Sequence, residues 1–331
     1  MVWKIERNEI QRSNKESYND YFVRLFENKD KYNLTCQDIA DLLNRENQTN
    51  FNESVYRKRW VAFNAGRIYE RQKQSNGIVT RILCISDTHV PFQLPKEVFS
   101  NYIDKIDILQ INGDIVDCFS LSKFDRVYRI NPMDEIIQAR QYLIEVIEYL
   151  HPKKVVINFG NHDQRFERYL SKNLDSDILE LMPKTSLELI CEDGFHHYDK
   201  RNHTKVWYEP LKNIFNDIEV QYIDNWFCQI GQTIFCHPLA FNGQPMKTAE
   251  KAMYFFRNEG YEFTSLILAH THRIGQYVIG NTDLFEQGCC CDTSKMNYSD
   301  GKLINSQREG FLFLGQDKNG KIIKYKQEKL N

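Results

Sequence analysis

Five short apolar runs each end in residues that bind cations, and this repeated arrangement restricts the fold more than any other feature. Ile82 to Ile85 leads into Ser86-Asp87-Thr88-His89, and Asp107 to Asn112 into Gly113-Asp114-Ile115-Val116-Asp117. Lys154 to Phe159 leads into Gly160-Asn161-His162-Asp163, Thr233 to Cys236 into His237, and Ser265 to Leu268 into Ala269-His270-Thr271-His272. Short apolar runs bounded by turn formers read as buried strands. Side chains at i and i+2 of a strand point to the same side, so a strand end or its exit loop can aim Asp87 and His89 at one point. Five strand ends that carry Asp, Asn and His together predict a metal site.

Taken in order, D-x-H, G-D-x-x-D, G-N-H-D, H and x-H-x-H resemble the motifs of the metallophosphoesterases, also called calcineurin-like phosphoesterases, over roughly residues 80 to 315. The resemblance implies two stacked mixed β-sheets flanked by helices, a four-layer α/β/β/α sandwich. It also implies hydrolysis of a phosphoester at two divalent metal ions, about 3.5–4 Å apart in such sites. Carried over residue by residue, it makes Asp87, His89 and His272 ligands of the first ion and Asn161, His237 and His270 ligands of the second. Asp114 would bridge both. His162 would protonate the leaving oxygen or stabilise the transition state, Asp163 would hold its ring in orientation, and Asp117 would orient ligands and loop.

The departures from the family pattern are few. Ala269 stands where the family usually has Gly, which a turn tolerates if the backbone angle is ordinary. Pro238 rather than Gly follows His237. Cys118 follows Asp117 where the protein serine/threonine phosphatase branch has an arginine, and the third motif ends in Asp163 rather than Glu. The last two changes point away from protein phosphatases. His, Asp and Asn donors suit manganese, with iron or zinc as alternatives.

The 331 residues, 41% of them hydrophobic, can build a substantial core. No apolar stretch approaches the roughly 20 residues that span a bilayer, so no membrane segment is expected. The start, Met1 to Arg7, has no apolar signal-peptide region. Nine cysteines without a disulfide-framework spacing fit a reducing compartment, and the expected location is the cytoplasm. The triplet Cys289-Cys290-Cys291 is expected to be structural.

The net charge of −2 says little, but residues 45 to 73 carry seven bases against three acids. That segment follows two predicted helices. The first, from about Asn14 to Asn28, carries Tyr18, Tyr21, Phe22, Leu25 and Phe26 at helical spacing. The second starts at Thr35, with Asp38 completing a capping box, and ends near Asn44. A third, capped by Asn52, turns Val55, Tyr56, Trp60 and Phe63 inward and leaves Arg57, Lys58, Arg59 and Arg67 outside, as in a helix-turn-helix module whose bases contact a nucleic-acid backbone. The domain division is therefore 1–77, a small all-α module with a linker from Gln72, and 78–331, the catalytic domain.

Within the second domain, Pro132 opens a long helix to Leu150, and the β-α-β rhythm predicts right-handed crossovers. Residues 183–217 are irregular and form a possible substrate-side flap carrying Arg165, Arg168, His196, His197, Arg201 or His203, with plain surface structure as the alternative. Hairpins are predicted around Gly231-Gln232, Gly280-Asn281 and Asp317 to Gly320, giving a mixed first half and an antiparallel second half. The leading functional reading is a nuclease acting on DNA, with a layout similar to phosphoesterases of bacteria and their phages. Its competitors are a phosphatase or phosphodiesterase of a small nucleotide, with the helical module used for docking or oligomerisation, and a nucleic-acid-binding regulator with a structural or decayed site. No oligomeric state is assigned.

Overall fold

The computed structural model describes residues 9–73, 77–122, 130–182, 185–200, 202–296 and 307–330. The chain divides into two compact units, Met1–Gln74 with Val278–Thr282, and Ser75–Tyr277 with Asp283–Asn331.

The first unit holds three helices, α1 (Tyr18–Glu27), α2 (Cys36–Asn47) and α3 (Glu53–Lys73). Ser17 caps α1 by accepting the Asp20 N–H, and Thr35 and Asp38 form the full capping box of α2. Tyr21, Phe22, Leu25 and Phe26 meet Ile39, Leu42, Leu43 and Tyr56 in one buried cluster, with Trp60 stacked on Phe26 at 5.2 Å. Asn44 ties the loop before α3: its amide donates to Phe51 O at 2.7 Å and accepts from the Phe51 N–H and the Tyr56 hydroxyl.

Several expectations for this unit need correction. Helix α2 runs three residues past Asn44, and Gln72 and Lys73 are still helical rather than linker. Val55 and Phe63 are 43% and 39% exposed, not inward, because two short helices cover only the face of α3 that carries Tyr56. Arg59 donates to Asn19 Oδ1 at 2.9 Å and lies 4.9 Å over the Phe22 ring, so its charge is tied to the fold. Arg57 lies 3.6 Å from Glu53, Lys58 is exposed, and the Arg67 side chain falls outside the described residues.

In the second unit, period-two alternation sorts each strand's side chains between two cores. Strands β1 (Thr80–Ile85), β2 (Ile108–Asn112) and β3 (Lys154–Asn158) run parallel. Leu83, Ile85, Leu109, Ile111, Val155 and Ile157 face α4 (Pro132–Leu150), which returns Ile136, Ala139, Leu143, Val146, Ile147 and Leu150. Asn131 caps α4 and Pro132 opens it. Ile82, Cys84 and Val156 face the other way and share a cluster with Phe235, Ile267 and Phe285 of a second sheet.

The ribbon β4 (Phe195–Asp199) and β5 (Thr204–Tyr208) forms a small separate sheet, which replaces the expected irregular structure in that stretch. Leu187, Ile190, Cys191, Phe195 and Leu211 root this region in the core. The remaining strands are β6 (Glu219–Ile223), β7 (Phe227–Ile230), β8 (Thr233–Cys236), β9 (Ser265–Leu268), β10 (Ile274–Ile279), β11 (Thr282–Gln287), β12 (Gly310–Gln316) and β13 (Ile322–Lys329).

The larger sheet has the order β13-β12-β1-β2-β3-β6 and the second β10-β11-β9-β8-β7. The expected hairpins β7–β8 and β12–β13 are present. The second sheet is mixed, however, since β8, β9 and β11 run parallel; the helix Lys247–Asn258 supplies the crossover between β8 and β9 that hairpin signals alone do not reveal. Between the sheets, Gln110, Asn158 and Asn112 form a buried hydrogen-bonded chain, 2.7 Å from Gln110 to Asn158 and 3.0 Å from Asn158 to Asn112. It pins the ends of β2 and β3, where the candidate ligands begin. No helix among the described residues is long and apolar enough to cross a membrane.

Candidate metal centre

The candidate ligands leave their strands in an unusual backbone. Asp87, His89, Asp114, His270 and His272 all adopt left-handed angles, with φ of 51°, 46°, 51°, 75° and 54°. Such strain costs about 1–3 kcal/mol per residue and persists only where the surroundings over-determine it. Here two loops are bonded side by side. The N–H groups of Asp87, His89 and Val90 donate to the carbonyls of Gly113, Asp114 and Ile115 at 3.1, 3.1 and 2.8 Å. Asp87 and His89 thus converge through a strained loop beyond the strand, not through strand periodicity. Gly113 and Gly160 make the space: a Cβ on Gly160 would collide with Asp114 Oδ1, and one on Gly113 would lie 2.7 Å from His237 Nδ1. Ala269 keeps an ordinary backbone angle, so its Cβ is tolerated where a Gly is usual.

Two donor sets result. Asp87, His89 and His272 bring ligand atoms within 4.8 Å of one another, and Asp114, His237 and His270 do the same. The sets adjoin: His272 Nε2 is 3.1 Å from Asp87 Oδ1, His237 Nε2 is 3.1 Å from Asp114 Oδ2 and 3.8 Å from Asp87 Oδ1, and His89 Nε2 is 3.9 Å from Asp114 Oδ2.

Asn161 Oδ1 is buried without a hydrogen bond, a loss of about 1–3 kcal/mol if nothing else satisfies it, and Asp87 Oδ1 and His237 Nε2 face the charged partners just named. His89 Nδ1 sits 2.9 Å from Asp117 Oδ1 and His237 Nδ1 2.7 Å from Asn112 O. Both rings therefore donate from Nδ1 and turn Nε2 inward, the orientation that metal-binding imidazoles need. Oxygen and nitrogen atoms aimed at common ground fit divalent cations.

The electrostatics of the site agree. Burial favours the neutral carboxyls of Asp87 and Asp114, but the surrounding histidines, His237 foremost, with His272 at Asp87 and His162 and His89 at Asp114, together outweigh it and hold both low, Asp87 at about 2. Against burial, Asp114 and Asp87 lift His237 to about 9. Burial and then the His237 charge press His270 down to about 4. A cation must displace the His237 proton to use Nε2. Below pH about 9 that proton is present and competes, so apparent metal affinity is expected to rise about tenfold per pH unit from neutrality and level off above about 9. Calorimetric manganese titrations across that range check this; a flat dependence would contradict it.

Residues 80–273, more than half of the chain, match the family model described as calcineurin-like phosphoesterase. The chain belongs to the calcineurin-like phosphoesterases. It is therefore a metal-dependent phosphoester hydrolase. Residues 6–75 of this phosphoesterase match the model of the YonJ N-terminal domain. No curated protein matches it. Similar solved structures include an archaeal phosphodiesterase, with 14% identity, 76% of this chain and 99% of that one covered, and a TM-score of 0.34. A metallophosphoesterase from Sphaerobacter thermophilus has 13% identity, coverage of 76% and 88%, and a TM-score of 0.35. Vacuolar protein sorting 29 from Cryptosporidium parvum has 13% identity, coverage of 77% and 99%, and a TM-score of 0.36.

In this phosphoesterase His162 lies beside both donor sets. Its N–H donates to Asp114 Oδ1 at 2.7 Å, and its Nδ1 is 2.9 Å from Asp117 Oδ1 and 3.0 Å from Asp117 O. Asp117 thus orients His162 as well as His89. The expected role of Asp163 is corrected: its carboxylate accepts the backbone N–H groups of Asp114, Gly160 and Val116 at 2.8, 2.9 and 3.2 Å, and so ties two ligand loops together.

Two features of the centre differ from what the sequence predicts. Arg165, expected on a substrate-side flap or the surface, instead donates from Nη2 to His162 Nε2 at 3.0 Å; the i, i+3 spacing was the available signal. Cys289 and Cys291, expected to be structural, form a further set of close donor atoms with His272.

Proposed function

We propose that this calcineurin-like phosphoesterase is a two-metal phosphodiesterase that acts on DNA. The pair of adjoining donor sets, with Asp114 Oδ2 3.1 Å from His237 and 3.9 Å from His89, carries the two-metal reading. Asp87, His89 and His272 would hold one ion, Asn161, His237 and His270 the other, and Asp114 both. Divalent ions bound there, manganese by the mix of carboxylate, amide and imidazole donors, would neutralise the ester and acidify a water. The chain's own residues do the rest. Asp117 fixes the His162 ring, whose Nε2 lies 3.9 Å from Asp114 Oδ2, where it can pass a proton to a leaving oxygen. Asp163 keeps the Asp114 and Gly160 loops in register.

The excess of bases over acids in residues 45–73 supports DNA as the substrate. The engagement of Arg59 with Asn19 and Phe22 favours the second reading, a small nucleotide ester. Manganese-dependent hydrolysis of labelled single- and double-stranded DNA and of aryl phosphodi- and monoesters separates the two, using the full chain and Arg57→Glu with Lys58→Glu. The DNA reading expects cleavage of DNA that the double variant weakens while aryl ester turnover stays unchanged. Turnover of aryl esters with DNA left intact would replace it by the small-ester reading.

A further inference from the structure

Arg165 directs its hydrogen bonds at uncharged acceptors. Its side chain is 14% exposed, and its nearest carboxylate oxygen among the described residues, Asp117 Oδ2, is 3.9 Å away, an ion pair too long for a hydrogen bond. Nη1 donates instead to the Asp117 carbonyl at 2.9 Å and Nη2 to His162 Nε2 at 3.0 Å. A guanidinium has five donors in a fork that matches carboxylate and phosphate oxygens, and no acceptor. Arg165 also opens the helix Arg165–Asn173, the end at which the helix dipole disfavours a cation. Breaches of local preference in folded proteins gather at functional sites.

The contact also fixes the state of His162. Because Nη2 can only donate, Nε2 accepts, and the ring keeps its hydrogen on Nδ1, facing Asp117. In this arrangement the atom that would serve the leaving group is covered by the guanidinium.

We propose that Arg165 is a substrate-binding residue that exchanges His162 Nε2 for a non-bridging phosphoryl oxygen when an ester enters the metal centre. The exchange has two effects. It gives the guanidinium the anion its geometry fits, and it uncovers Nε2 when an ester is present, free to take up a proton from water and pass it to the leaving oxygen. The inference rests on the two-metal reading of the centre and on the role given to His162.

The test is calorimetric titration of inorganic phosphate into the full-length, manganese-loaded protein as wild type, Arg165→Ala, Arg165→Gln and Arg165→Lys. Phosphate affinity is expected to fall about tenfold or more in Arg165→Ala and Arg165→Gln, with manganese stoichiometry unchanged, because a charge-assisted hydrogen bond to the anion is lost. Arg165→Lys, which keeps the charge without the fork, recovers part of it. A residue that merely braced Asp117 and His162 would leave phosphate affinity within about twofold of wild type in Arg165→Gln while lowering kcat, and that result overturns the proposal. Phosphate bound through Arg165 by a protein that hydrolyses no diester would support the proposal and count against the diester reading alone.

Discussion

Asp114→Asn is expected to lower kcat/KM on an aryl phosphodiester by about 10³-fold at saturating manganese, since a lost metal clamp removes several kcal/mol of transition-state stabilisation. The side chain is almost fully buried, with Oδ1 accepting the His162 N–H at 2.7 Å and Oδ2 facing His237 at 3.1 Å. An amide of the same shape keeps an acceptor for His162, so the backbone at the centre is preserved. What it removes is the negative charge and a lone-pair direction between the two donor sets. Circular dichroism of the variant should match wild type. Full hydrolysis by Asp114→Asn would take Asp114 out of the centre.

The loss expected for His162→Ala depends on the leaving group. General acid catalysis contributes about 10²–10⁴-fold, and only where the departing oxygen needs a proton. A nucleotide alkoxide needs one; p-nitrophenolate leaves without it. His162→Ala should therefore lose about 10³-fold on a dinucleotide and far less on bis-p-nitrophenyl phosphate. His162 is 6% exposed and fixed at Nδ1 by Asp117, a geometry suited to directional proton delivery. Equal losses on both substrates would make His162 a positioning group instead.

The sheet architecture was legible because alternation and apolar runs are local signals. Ile82 and Cys84 against Leu83 and Ile85 already state that β1 is covered on both faces. The α2 capping box and the Pro132 helix start were equally local. The direction of β9 and β11 was not, since a hairpin-like turn at Gly280 fixes only how β10 meets β11. The candidate ligand set was proposed from five ordered motifs, and the structure brings six of its seven residues into two close sets, with the buried Asn161 oxygen as the remaining candidate donor. What could not be read was how loops point side chains across the chain. Asp163 follows His162 directly, yet adjacent residues diverge, and its carboxylate went to three backbone N–H groups while Asp117, 45 residues earlier, took the ring. The left-handed angles at five candidate ligands likewise follow from loop–loop hydrogen bonds between distant segments.

Manganese stoichiometry tests the central claim most directly. Crystals of the manganese-loaded wild-type protein, examined by anomalous scattering, should show two ions, one among Asp87, His89 and His272 and one among Asn161, His237 and His270, with Asp114 touching both. A single ion, or two ions that leave Asp114 uncoordinated, would contradict the two-metal account.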